Sequence, residues 1–195
     1  YGMVSQIDGG VGKILAKLEE LGLRDNTVVV FTSDHGDLQG CHGYKNKSKP
    51  WEESSGIPLI IQAPGMKKGL VSEGLVESID YFPTCMELLD VDSKIELPGK
   101  SIAPALMGEE QDLGGPVFSE FREWRMVRKG NLKLVVRGKD WVPTELFDLE
   151  SDPFEMNNLV NEEQHKQDVE RLSEILQQWR KSHPKIPSLF GQIKL

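Results

Sequence analysis

Apolar and polar positions in the first part of the chain follow a helix period and then two strand-like runs. Apolar residues recur at helical spacing at Ile7, Val11, Ile14, Leu15, Leu18 and Leu21. This spacing predicts an amphipathic helix that ends near Gly22. Two apolar runs without polar alternation follow at 27–32 and 57–62, which is typical of strands buried on both faces, as in a parallel sheet. Helix, strand, polar loop and strand together predict an α/β core.

Further helix is predicted over residues 78–89, where apolar side chains again recur on one face. Pro83 would break the interior of a regular helix, so the helix proper is expected to begin near it.

From about residue 114 the pattern changes to short apolar segments separated by turn residues, which predicts a small antiparallel sheet. A last amphipathic segment over 162–181 predicts a terminal helix, with Val169, Leu172, Ile175, Leu176 and Trp179 inward. We therefore expect part of an α/β core domain over 1–110 and a sheet subdomain with a terminal helix over 111–195. The four predicted strands are 117–121, 124–127, 132–136 and 144–149.

Composition excludes several classes of protein. Hydrophobic residues make up 38% of the chain and charged residues 28%, which is ordinary for a globular domain. The net charge of −8 argues against nucleic acid as a partner, because basic surface supplies most of that attraction. No apolar stretch approaches the roughly 18 residues of a membrane span. The chain has no initiator methionine and starts inside a predicted helix, so we interpret it as the truncated part of a longer parent.

The candidate chemistry begins directly after the first predicted strand. Asp34 and His35 follow it, and Gly36 lets the backbone turn away without a side chain in the path. In open α/β sheets, ligands bind at the carboxyl ends of strands. A carboxylate beside an imidazole is a plausible pair of metal ligands. Taken alone, the same two residues could equally be a turn aspartate and a hydrogen-bonded polar histidine.

A longer series of motifs favours the metal-ligand interpretation of Asp34 and His35. The motifs and their order along the chain resemble the sulfatase family of the alkaline-phosphatase-like fold. The C-terminal motif is similar to the family signature L-F-D-L-x-x-D-P-x-E-x-x-N-L. The resemblance spans most of the chain and implies the α/β fold of that family. The motifs are T-S-D-H-G-D at 32–37, G-C-H-G at 40–43, W-E-E-S at 51–54, I-P-L-I-I at 57–61, D-Y-F-P-T at 80–84, L-P-G-K-S at 97–101 and L-F-D-L-E-S-D-P at 146–153.

The resemblance also implies roles for individual residues. Asp34 and His35 match the metal-ligand pair, with Ca²⁺ as the expected ion. Lys47 matches the lysine that contacts the sulfate and stabilises charge in the reaction, with Lys45 and Lys49 as nearby alternatives. His42 is expected near the substrate. Calcium prefers oxygen ligands, whereas imidazole suits transition metals, so His35 leaves the identity of the metal open.

One expected element has no counterpart in the chain. Sulfatases use a formylglycine made from cysteine in a C-x-P-S-R-like motif, and neither Cys41 nor Cys85 is followed by that proline and arginine. Both cysteines are therefore interpreted as unreactive packing residues. The resemblance implies that the formylglycine and further metal ligands lie N-terminal to this region, and that the parent works in a periplasmic, secreted or lysosome-like compartment. We expect the isolated chain to be inactive.

Three functional hypotheses follow. The first is part of a sulfatase, acting on a sulfated small molecule or carbohydrate. The second keeps the fold but makes the parent a phosphatase, phosphodiesterase or phosphonate hydrolase of the same superfamily. The third is a binding or structural fragment without catalysis. The sequence leaves the particular sulfate ester and the oligomeric state open.

Overall fold

A computed structural model describes residues 1–92, 96–109 and 113–182. The helices are α1 (Gly2–Glu20), α2 (Glu52–Ser55), α3 (Tyr81–Leu88), α4 (Ala103–Leu106) and α5 (Lys166–Ser182). The strands are β1 (Val29–Thr32), β2 (Leu59–Gln62), β3 (Val117–Phe121), β4 (Trp124–Lys129), β5 (Leu132–Arg137) and β6 (Val142–Asp148). No described helix is both long enough and apolar enough to cross a bilayer.

The chain forms two compact units whose segments alternate along the sequence. The first contains the described residues within 1–33, 58–72 and 78–111, and the second those within 34–57, 73–77 and 112–195. The loop after β1 therefore belongs to the same unit as the C-terminal sheet. The predicted domain boundary between residues 110 and 111 lies outside the described residues and stays a prediction.

In the first unit, β1 and β2 pair antiparallel, with Val29 opposite Gln62 and Thr32 opposite Leu59. The expectation of a parallel arrangement for these two strands is therefore wrong. An apolar run indicates the environment of a strand, and it carries no information about strand direction. The cross-strand neighbours Phe31 and Ile60 are also exposed, at 37% and 64%, so the described residues do not cover both faces of this pair.

Helix α3 confirms the prediction made from Pro83, because it begins at Tyr81 and holds the proline in its first turn. The hydroxyl of Thr84 donates to the Asp80 carbonyl and accepts the N–H of Ile102, at 2.5 and 3.0 Å. A side chain at Gly99 would meet the Ile79 carbonyl at 2.0 Å. A buried threonine and a glycine thus fix the segment before α4 against the start of α3.

The second unit is built on an antiparallel sheet in the order β3-β4-β5-β6. All four predicted strands are confirmed. Helix α5 packs on this sheet through Leu172 and Leu176, which are almost fully buried. The predicted inward face of the helix is therefore confirmed as well. The core shared by sheet and helix comprises Val127, Leu134, Val136, Leu146, Leu172 and Leu176.

Candidate active site

The candidate site lies in the segment from Asp34 to Ser55, which ends in the short helix α2. Gly36 donates its N–H to the Ser54 carbonyl at 3.0 Å. A Cβ atom at Gly36 would come within 2.0 Å of the Glu53 carbonyl oxygen. Only glycine fits this close approach, so the backbone beside His35 runs directly against the end of the same segment.

Asp34, His35 and Lys47 come together at the start of this segment. The Nδ1 atom of His35 lies 2.8 Å from the Gly36 carbonyl, which can only accept, so Nδ1 carries the proton of the neutral ring. Its Nε2 atom lies 2.5 Å from Lys47 Nζ and 3.3 Å from Asp34 Oδ2. A carboxylate, an imidazole lone pair and an ammonium group thus converge on one exposed spot.

The two other lysines of the loop have different surroundings. Lys49 places its ammonium 4.1 Å from the centre of the Tyr44 ring, a cation–π contact. Lys45 is exposed. Of these three lysines, Lys47 is the one whose ammonium contacts His35. The geometry therefore favours Lys47 over its two neighbours as the lysine of the site.

Asp34 and His35 fit one side of a metal site. Their nearest donor atoms lie 3.3 Å apart, close to the separation of two neighbouring ligands with bonds of about 2.4 Å. The Asp34 side chain is 85% exposed, so its carboxylate is accessible. Within the described chain there is no group of three or more His, Cys, Asp or Glu that could hold an ion. The described residues thus offer two side chains able to bind a metal, fewer than the number of ligands that calcium takes.

His42 packs inside the segment. Its ring stacks on Trp51, with centroids 4.1 Å apart and planes within 8°, and its Nε2 atom lies 3.5 Å from Glu53 Oε2. The side chain is only 9% exposed. Packing alone explains the position of this ring, and the substrate contact expected from the resemblance stays a prediction.

The cysteines differ from one another. Cys85 is half-buried in α3, whereas Cys41 is exposed, and both are free thiols. The expectation that Cys41 is a packing residue is therefore wrong. A small apolar residue type is often buried, but the tight turn at 40–43 leaves this side chain on the surface.

Sequence reasoning missed the charged residues that support the site. Lys133 on β5 is fully buried between Glu52, at the start of α2, and Glu155, at ion-pair distances of 2.9 and 2.8 Å. Burial raises the pKa of Glu155 above its ordinary value, and the Lys133 ammonium opposes that rise only in part. Glu52 and Glu155 both belong to motifs of the resemblance, but no local pattern pairs them with a lysine in a strand.

Comparison with known proteins identifies the class. The profile of the Sulfatase family matches residues 1–91. An arylsulfatase from Clostridium perfringens is 33% identical over an alignment of 189 residues, and the alignment covers 90% of this chain and 38% of that protein. The chain belongs to the sulfatase family and corresponds to its C-terminal part. It spans little more than a third of the length of the curated relatives that it matches.

Solved structures agree on the fold. One neighbour, in complex with its substrate D-glucosamine-2-N,6-O-disulfate, superimposes with a TM-score of 0.86 at 27% identity, covering 94% of this chain and 40% of the other. The phosphonate monoester hydrolase of Agrobacterium radiobacter superimposes with a TM-score of 0.83 at 27% identity, with the same coverage of both chains. The α/β fold expected from the resemblance is confirmed.

Proposed function

We propose that the full-length protein is a sulfuric ester hydrolase and that this chain supplies part of its active site. The observation that carries the proposal is the convergence of Lys47 Nζ and Asp34 Oδ2 on His35 Nε2, within a chain of the sulfatase family. These are the groups that a reaction on an anionic ester requires, and they follow the first strand in the order of the family motif.

The roles follow from charge. A sulfate ester is negative, and negative charge builds on its leaving oxygen during S–O cleavage. The Lys47 ammonium would bind the sulfate and stabilise that charge by being in place before the reaction. Asp34 and His35 would hold a divalent cation, with Ca²⁺ as the proposed ion, which would polarise the bound ester. The Gly36 carbonyl keeps the His35 proton on Nδ1 and so leaves the lone pair of Nε2 for binding the metal ion.

The nucleophile has no candidate in this chain. The resemblance implies a formylglycine, and neither Cys41 nor Cys85 lies in the required motif. We therefore expect the 195-residue chain alone to hydrolyse no sulfate ester, because residues that act as a catalytic unit lose most of their effect when one member is missing.

A sulfated carbohydrate is the proposed substrate class, supported by the sulfated glucosamine bound to a structural neighbour. A compartment outside the cytoplasm, such as the periplasm, the extracellular space or a lysosome-like compartment, is the corresponding proposal for localisation. The competing candidate is phosphonate or phosphate ester hydrolysis, which the similarity to a phosphonate monoester hydrolase supports.

The test is a panel of sulfate, phosphate and phosphonate esters offered to the full-length protein with and without Ca²⁺. We expect sulfate ester turnover, and a loss of kcat on the order of 10²–10³-fold in Lys47→Ala. Lys45→Ala, in the same loop, is the matched control and should retain activity. Turnover of phosphorus esters alone would transfer the assignment to the competing candidate. Robust turnover by the 195-residue chain would contradict the assignment of the nucleophile to another region.

A further inference from the structure

A network of four charged residues, of which Lys133 and Glu155 are fully buried and Arg128 and Glu52 partly exposed, joins the C-terminal sheet to helix α2. Lys133 is fully buried on β5, and its Nζ atom lies 2.9 Å from Glu52 Oε1 and 2.8 Å from Glu155 Oε1. Arg128 on β4 places Nη1 3.0 Å from the second oxygen of Glu52. An unpaired charge buried in this way would be very unfavourable. The network therefore fixes the positions of Glu52 and Glu155 relative to the sheet.

Glu155 also caps α2. Its Oε2 atom accepts the backbone N–H of Glu52 at 2.6 Å, across 103 residues of sequence. Trp51, the residue before the helix, makes no side-chain cap of its own. Glu155 thus uses its two oxygens differently: Oε1 makes an ion pair with the Lys133 ammonium, and Oε2 accepts the backbone N–H of Glu52. Only a carboxylate presents an oxygen to both groups, because an amide would turn its NH₂ group toward one of them.

Helix α2 in turn holds both sides of the candidate site. The Ser54 carbonyl accepts the Gly36 N–H, and the Ser54 hydroxyl accepts the Lys49 N–H at 3.3 Å. The indole of Trp124 on β4 donates to the Ser48 carbonyl at 3.0 Å. The residues adjacent to His35 and to Lys47 are therefore tied to α2 or to the sheet.

We propose that Lys133 and Glu155 are positioning residues of the enzyme, which clamp the N-terminus of α2 and thereby set the placement of Lys47 against His35. The inference rests on the proposed function and adds to it two residues that touch neither the substrate nor the metal ligands. A misplacement of about 1 Å among reacting groups can cost on the order of 10²-fold in rate, so the clamp contributes through geometry.

The test compares Glu155→Gln with Glu145→Gln in the full-length protein. Glu145 is the matched control, because it is a partly buried carboxylate of the same sheet that pairs with Arg137. Two quantities are measured: kcat and KM on the best sulfate ester, and hydrogen exchange of peptides spanning 34–57. For Glu155→Gln we expect kcat to fall about 10–100-fold with KM changed less than threefold, and exchange over 34–57 to rise at least tenfold. For Glu145→Gln, kcat and the exchange rate over 34–57 should both stay within twofold of the wild type.

Unchanged kcat and unchanged protection of 34–57 in Glu155→Gln would overturn the proposal, as would faster exchange without any loss of kcat. If Glu155→Gln does not fold, Glu155→Asp replaces it, since its shorter side chain keeps the charge but cannot reach both donors. If the wild type cleaves only another ester class, the proposed function fails and the clamp is tested on that ester. If it cleaves none, the exchange measurement alone decides.

Discussion

Helices α1 and α5 have similar lengths, 19 and 17 residues, and each has apolar side chains at helical spacing. Their environments differ completely. Leu172 and Leu176 of α5 are buried against the sheet of the second unit, whereas α1 has no buried residue and leaves Ile7 and Ile14 58% and 62% exposed. Periodicity therefore identifies an apolar face, but burial depends on whether the rest of the chain covers that face.

The largest difference in the free energy of unfolding is expected between the buried ion pairs of the second unit and an exposed ion pair on α1. Lys133→Met should destabilise the 195-residue chain by about 3–5 kcal/mol, because it leaves two carboxylates beside a buried apolar side chain. Lys17→Met, which removes the exposed pair between Lys17 and Glu20 of α1, should change the free energy of unfolding by less than about 0.5 kcal/mol. Urea unfolding measures both, and equal losses would break the contrast.

The second prediction contrasts the apolar faces of the two helices. Leu172→Ala should cost about 2–5 kcal/mol in the 195-residue chain, since the side chain is fully buried. Ile14→Ala should stay within about 0.5 kcal/mol, because its side chain is mostly exposed. The same unfolding measurement applies. A loss above about 1 kcal/mol for Ile14→Ala would mean that α1 is covered in solution, for example by a second copy of the chain.

A third prediction concerns the pH dependence of the clamp. The folded-state pKa of Glu155 is raised by burial, so the native state binds this proton more tightly than the unfolded chain. The associated stability is fully present below the ordinary pKa of 4.5 and is lost as the pH rises through the raised value. The stability of the wild type minus that of Glu155→Gln should therefore decrease as the pH rises above 4.5 and through the raised pKa. A difference that increases with pH, measured by chemical unfolding, would contradict this sign.

The smallest effect is expected at the start of α5. Asp168 lies in the first turn, and the hydrogen bond from Arg171 lowers its pKa. Its contribution is therefore present above its ordinary pKa of 3.8 and is lost as the pH falls through the lowered value. Asp168→Asn should cost about 0.3–1 kcal/mol at pH 7 and less at pH 3. Glu174→Gln, within the same helix, is the control and should show no such loss. In contrast, the first turn of α1 has no acidic residue.

Local patterns were sufficient to predict most elements of this fold. All four strands of the C-terminal sheet, both long helices and the start of α3 follow from spacing and turn residues. Strand direction in the first unit was predicted wrongly, because an apolar run such as 57–62 is compatible with either pairing. The motif also selected Asp34, His35 and Lys47, whose side chains lie together in the structure, and their roles stay predictions.

The supporting charges could not be found in this way. Lys133 interrupts an apolar strand, and such a lysine would ordinarily be assigned to the solvent face. Its partner Glu52 lies 81 residues earlier in the sequence, and its second partner lies after the sheet. Only the folded arrangement shows that two carboxylates enclose the ammonium group.

The bond from Glu52 to Glu155 has a consequence for the order of folding. It closes a loop of 103 residues, and closing a loop of that length costs about 4 kcal/mol in chain entropy. The cap of α2 can therefore form only after the sheet has assembled and brought Glu155 into place. During synthesis at about 5–20 residues per second, the 34–57 segment leaves the ribosome roughly 5–20 s before its cap. Segment 34–57 is therefore complete well before the residue that caps its helix has been synthesised.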